Sequence, residues 1–176
     1  MKRILIIPMG SADPALLKTI STSLEKTFHC MVEISAEMPI PLTSYDSRRK
    51  QYRSTAMLET LRGMIRRDGD RLLGVIDADL FVPGLNFVFG EADASAGVAI
   101  ISLTRLRQEF YGLRRNARLF QDRAVKESIH ELGHTCGLGH CRDPHCIMHF
   151  SNSLSDTDEK GPEFCARCKK IQSISS

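Results

Sequence analysis

HELGHTCGLGHCRDPHCIMH, residues 130–149, holds five of the chain's six histidines and three of its six cysteines. One metal site, two metal sites or a disulfide staple would each account for such crowding. Helix geometry separates the first part of the stretch from the second. At about 100° per residue, Val125, Ile129, Leu132 and Cys136 fall within about 60° of one another and form an apolar stripe. His130 and His134, at i and i+4, lie about 140° to 180° from the first member of that stripe. Core histidines would fall within it. These two project together from the other side, at the spacing that sets two imidazole nitrogens on one zinc ion.

Glu131 is one step off the histidine face, so it can stand beside a metal without ligating it, where a general base takes a proton from water. Gly137 suits a left-handed position just past the helix, and the sharp turn there would bring His140 back as a third ligand. Three protein ligands leave the fourth position of a tetrahedral zinc open for water, the arrangement of a catalytic site. Zinc brings the pKa of such water to about 7, so hydroxide is available at neutral pH.

The cysteines follow at once. Cys141 and Cys146 precede Cys165 and Cys168 in the pattern C-x4-C, 18 intervening residues, C-x2-C. Two pairs at this spacing suit a closed four-cysteine zinc that contributes folding energy and no chemistry. Two disulfides, or unrelated buried thiols, are the alternatives. A last helix with Pro162 in its first turn would place Cys165 and Cys168 where the helix dipole favours thiolates. His145 and His149 read as solvent-facing or as supports behind the ligands, and Cys30 and Cys136 as buried free thiols.

The 176 residues suffice for one domain with a sizeable core, here divided into 1–140, ending in the histidine helix, and a short C-terminal part, 141–176. A net charge of +3 is too small to argue for nucleic acid, and no apolar run approaches a membrane span. The opening apolar run is only residues 4–7 before Pro8, a buried strand rather than a secretory signal. Six cysteines without such a signal point to a reducing, cytoplasmic setting. The chain is read as a monomer.

Element types alternate, which predicts an α/β fold. Strands are expected at 3–8, 31–35 and 71–76, helices at 13–28 and 49–67, and a loop at 36–47. The helix at 49–67 would turn Leu58, Leu61 and Ile65 inward. Two apolar segments, 86–89 and 97–103, would be a short edge strand and a central one. The histidine helix would run from about 122 to 136. Asp77 and Asp79 read as an Asx turn, and the arginines of 105–118 as a solvated basic face. Arg123 and Glu127 would support the histidines or pair with each other at i,i+4.

Taken whole, HELGHTCGLGHC, the C-I-M that follows and the later C-A-R-C resemble the archaemetzincins, a metzincin family with a second zinc. The resemblance covers residues 130–168, about a fifth of the chain. It implies a metzincin-like zincin fold: a small twisted mixed sheet with three main helices, an active-site helix and a Met-turn. It implies His130, His134 and His140 on a catalytic zinc and Glu131 as base. Cys141, Cys146, Cys165 and Cys168 would hold a structural zinc, two Zn2+ per chain in all, with Met148 forming the Met-turn. It also implies a cleft whose rim strand binds extended peptide, for which NFVFGEA, 86–92, is the candidate, a plain core strand being its equal alternative. Some metzincins place a tyrosine two residues after the turn methionine; Phe150 stands there in this chain. The activity implied is that of a zinc metalloprotease acting on peptide or protein. The alternative is an inactive scaffold that only binds peptides, for which an intact Glu131 has no use.

Overall fold

A computed structural model of the protein describes residues 1–64 and 69–174. The first strand, β1 (Arg3–Met9), is almost wholly apolar because helices cover both its faces. Helix α1 (Pro14–Phe28) follows, with Asp13 accepting from Ala15 N at 2.9 Å and Pro14 opening the first turn. It buries Leu16, Leu17, Ile20, Leu24 and Phe28, the expected stripe. The chain returns as β2 (Met31–Ile34), parallel to β1.

The expected helix at 49–67 is shorter. Residues 45–46 form β3 (Tyr45–Asp46) and 51–53 form β4 (Gln51–Arg53), and α2 is Ser54–Arg62. Long-range bonding overrides helix propensity here: Tyr52 N donates to Asp79 O at 2.8 Å, and Gln51 Nε2 donates to Asp79 Oδ2 and Asn86 O, each at 3.0 Å. Leu58 and Leu61 are buried as expected, while Ile65 lies outside the described residues. Strands β5 (Asp70–Ile76) and β8 (Val98–Ser102) pair in parallel at the centre of the main sheet. Between them, β6 (Leu80–Phe81) joins β3 and β4 in a small second sheet, and β7 (Gly90–Asp93) runs antiparallel to β8. Residues 86–89 are therefore not the edge strand itself: Val88 bridges to Leu80 of β6, and Phe89 O accepts from Ser102 N just ahead of β7. The edge strand, GEAD, is polar and begins at Gly90, so three of its four residues fall within the expected rim 86–92.

The main sheet has the order β2-β1-β5-β8-β7, mixed because β7 alone is antiparallel. Alternate residues of its strands feed two layers. Ile4, Ile6, Leu73, Val75, Ala99 and Ile101 pack with α1 and the long helix α3 (Ala117–Thr135). Ile7, Met9, Leu72, Ile76, Val98 and Ile100 pack with α2. Helix α3 starts five residues before the expected point, since Asn116 caps it by accepting from Leu119 N at 3.1 Å.

The C-terminal part differs in detail from expectation. A short helix, α4 (Leu154–Glu159), opens with a capping box between Ser153 and Asp156. The last helix, α5 (Ala166–Ile174), starts after Pro162 and after Cys165, so only Cys168 sits in its first turn. Among the described residues, no helix is long and apolar enough to cross a membrane.

Candidate metal centre and cleft

Helix α3 carries His130 and His134 one turn apart, with their Nε2 atoms 3.1 Å from each other. Cys136 caps the helix, Gly137 follows at φ 80, and the turn brings His140 back. The His140 ring lies 5.4 Å from that of His130 and 4.9 Å from that of His134. One ring nitrogen from each of the three lies within 4.8 Å of the others. The tautomers follow from the backbone. His130 Nδ1 donates to Ile147 O at 2.8 Å and His134 Nδ1 to Leu138 O at 2.7 Å. Carbonyls only accept, so both Nε2 atoms keep their lone pairs and aim them at one point. Two such lone pairs at 3.1 Å repel unless a cation lies between them. Tetrahedral zinc with Zn–N near 2.0–2.1 Å separates its nitrogens by roughly 3.3 Å, so the donor set fits. Burial pushes the pKa of His130 well below its ordinary value, with Lys160 adding to the effect, and burial lowers His134 and His140 as well.

Glu131 is buried at the cleft wall. That burial, and then the charge of Glu127, raises its pKa well above the usual carboxylate range, while Lys160 opposes the shift. Its neighbour on β7 is Gly90, which it touches directly. A Cβ there would stand 2.6 Å from Glu131 Cγ and 2.7 Å from both Glu131 Oε1 and Ile100 O. We expect Gly90→Ala to displace Glu131 or lift β7 from β8, at a cost of about 1–3 kcal/mol in a denaturant titration. An unchanged midpoint would show that the contact relaxes freely.

Met148 is fully buried, and its sulfur occupies the space a Cβ at Gly133 of α3 would need, 2.5 Å away. The residue before it, Ile147, accepts from His130 Nδ1 through its carbonyl. Phe150 is half-exposed and packs edge-on against His140 with centroids 4.9 Å apart.

The four cysteines converge as expected. The sulfurs of Cys141, Cys146, Cys165 and Cys168 all lie within 4.8 Å of one another, and Cys141 Sγ is 3.8 Å from Cys165 Sγ. All six cysteines are free thiols, and the 3.8 Å between Cys141 Sγ and Cys165 Sγ is well beyond a disulfide bond length. Zinc with Zn–S near 2.3 Å places tetrahedral sulfurs roughly 3.8 Å apart, again a fit. The Cys168 backbone holds the Cys165 thiol down to about 7, and Cys165 N donates to Cys146 Sγ at 3.3 Å. The two clusters share one backbone corner: Cys141 N donates to Met148 O at 2.8 Å and His149 Nδ1 to Cys141 O at 3.0 Å. His149 is thus a support, and His145 is solvent-facing. Cys136 is buried, whereas Cys30 is only half-buried.

Three weaker expectations change. Asp77 and Asp79 do not form a simple turn: Asp79 takes a bidentate pair from Arg105 at 2.6 and 2.7 Å, and Asp77 pairs with Arg107 at 2.5 Å. The basic stretch is accordingly divided, its first two arginines pinned while Arg114, Arg115 and Arg118 are exposed. Arg123 and Glu127 do not pair with each other. Arg123 grips Asp158 with two 2.6 Å contacts, and Glu127 meets Lys160 at 2.7 Å. Lys160, Gly90 and the carbonyls of Leu138 and Ile147 carry no local signal in the sequence, because each acts through a fold-dependent approach.

Histidines, Glu131 and Phe150 open onto a cleft of about 940 Å³, whose far wall is residues 84–92 and includes β7's first three residues. Residues 25–173 match the family model of peptidase family M54. An archaemetzincin of Methanocaldococcus jannaschii is 43% identical over 171 residues, covering 97% of this chain and 93% of that one. The crystal structure of an archaemetzincin from Methanopyrus kandleri superposes with a TM-score of 0.85 at 35% identity, covering 99% of this chain and 94% of that one. A zinc-dependent peptidase from Methanocorpusculum labreanum gives 0.88 at 31% identity, with 96% and 99% covered.

Proposed function

Because the chain belongs to peptidase family M54, we propose that it hydrolyses peptide bonds at the three-histidine centre with Glu131 as general base. His130, His134 and His140 would hold the catalytic zinc, and Cys141, Cys146, Cys165 and Cys168 a structural one. Bound zinc would polarise the scissile carbonyl and lower the pKa of water beside it. The carrying observation is the position of Glu131, a buried carboxylate on the cleft wall directly next to a ligand on the same helix. From there Glu131 takes a proton from the attacking water and passes it to the leaving amine. The outward edge of β7 receives the extended substrate by strand addition, and the apolar walls at Leu85, Phe87 and Phe150 exclude water around it. Met148, as the Met-turn, supports the ligand cluster from beneath.

The test is turnover of a broad peptide library by the zinc-loaded protein before and after chelation. Cleavage abolished by chelation supports the reading; binding of peptides without any cleavage would favour a capture module instead. Metal analysis should find two zinc ions per chain. Replacing all four cysteines by serine should reduce the count to one, and an unchanged count would remove the two-site assignment.

A further inference from the structure

β7 ends the main sheet, so among the described residues one of its edges carries no partner strand. Ser102 N donates to Phe89 O at 2.7 Å, which makes residues 89 and 102 a bonded antiparallel pair. Such pairs alternate, so Glu91 also turns its N–H and C=O toward β8, while Gly90 and Ala92 turn theirs outward. A peptide strand added to that edge therefore bonds to Gly90 and Ala92. One of its side chains lies opposite Glu91 on the same face.

That face is the α2 side. Thr55 Oγ1 of α2 lies 3.0 and 3.2 Å from the two carboxylate oxygens of Glu91, and Arg62 of α2 pairs with Asp93. Gly90 faces the other way, onto Glu131. The two acids of β7 differ in one respect. Asp93 has a cation partner, whereas Glu91, among the described residues, has only the Thr55 hydroxyl. A hydroxyl donates one proton, and an ionised carboxylate offers about four acceptor sites. Among the described residues lining the cleft there is no lysine or arginine.

We propose that Glu91 is a specificity determinant that selects a lysine or arginine side chain on the substrate residue lying opposite it. The proposal rests on the peptidase reading, with β7 as the substrate-binding rim. Directly opposed residues in neighbouring strands have Cβ atoms about 4.5–5.5 Å apart, within reach of a carboxylate and a long cationic side chain. Opposite charges so placed attract and like charges repel, so the same residue admits basic peptides and rejects acidic ones. Glu91 is partly exposed, so the preference weakens as salt rises.

The experiment scans lysine, glutamine and glutamate through each position of an otherwise neutral peptide. Cleavage is read by mass spectrometry with the zinc-loaded protein, and binding of the same peptides, fluorescently labelled, with the zinc-loaded Glu131→Gln variant. At one position, lysine should be favoured over glutamate by roughly three- to tenfold. Adding Glu91→Gln should flatten that preference, and Glu91→Lys should reverse it, in cleavage and binding alike. Charge-selective binding that responds to Glu91 without cleavage would overturn the peptidase reading and leave this one standing. A preference that survives Glu91→Lys, the lack of any charge-selective position, or a failure to bind any peptide would overturn the proposal.

Discussion

Glu131→Gln should lower kcat/KM by about 10²- to 10⁴-fold while both metal sites still fill. Glutamine keeps the shape of the side chain against Gly90, so the cleft wall is preserved and only proton transfer is lost. The measurement is steady-state turnover of a cleaved library peptide, with metal analysis of the same sample. Equal turnover by the two proteins would reject Glu131 as base. Stability supplies a second, independent reading. In the metal-free protein, burial raises the Glu131 pKa above its unfolded value. Stability from that group is then fully present below the unfolded pKa, about 4.3, and is lost as pH rises through the folded value. Metal-free Glu131→Gln should lack this loss and show a flatter stability profile above that pH. An identical profile would mean that the buried carboxylate is already neutralised by another contact.

Lys160→Met should cost about 3–5 kcal/mol, a large share of the roughly 5–15 kcal/mol that holds a domain together. Lys160 is fully buried and Glu127 nearly so, with Nζ and Oε1 2.7 Å apart. The approach is off-axis for a directed hydrogen bond, so the contact is mainly coulombic. Removing one member strands the other charge in an apolar setting. The double replacement Lys160→Met with Glu127→Leu should recover most of the loss, since no charge is then left unpaired. Denaturant midpoints of the two variants decide the matter; a single variant as stable as wild type would show that losing the Lys160 partner costs Glu127 little. This pair is one of several ties between α3 and the α4 region. Arg123 holds Asp158, and Lys126 donates to Thr157 O at 3.0 Å and Asp158 O at 3.1 Å.

How much could be read from residues alone follows from the range of each interaction. The histidine triad was legible because i, i+4 and one glycine turn define its geometry within eleven residues. The cysteine set was legible because metal spacing is conserved chemistry rather than packing. Strand β1 and the α1 stripe were legible through periodicity. The bounds of the edge strand were not, since GEAD has no apolar residue larger than alanine and is defined only by pairing with β8. The start of the second helix failed for the same reason: Gln51 and Tyr52 bond to partners 27 or more residues away. Lys160 reads as a surface residue after a polar helix, and only the fold brings it under Glu127.

An open strand edge that can take up one peptide can in principle take up any other, including a second copy of itself. β7 answers that hazard with its composition. Two of its four side chains are acidic, and both lie on one face. Two copies meeting edge to edge would set like charges against each other along a strand too short to compensate. The rim is therefore sticky toward a passing substrate and repellent toward its own kind, a property that keeps a permanently open edge from seeding aggregates.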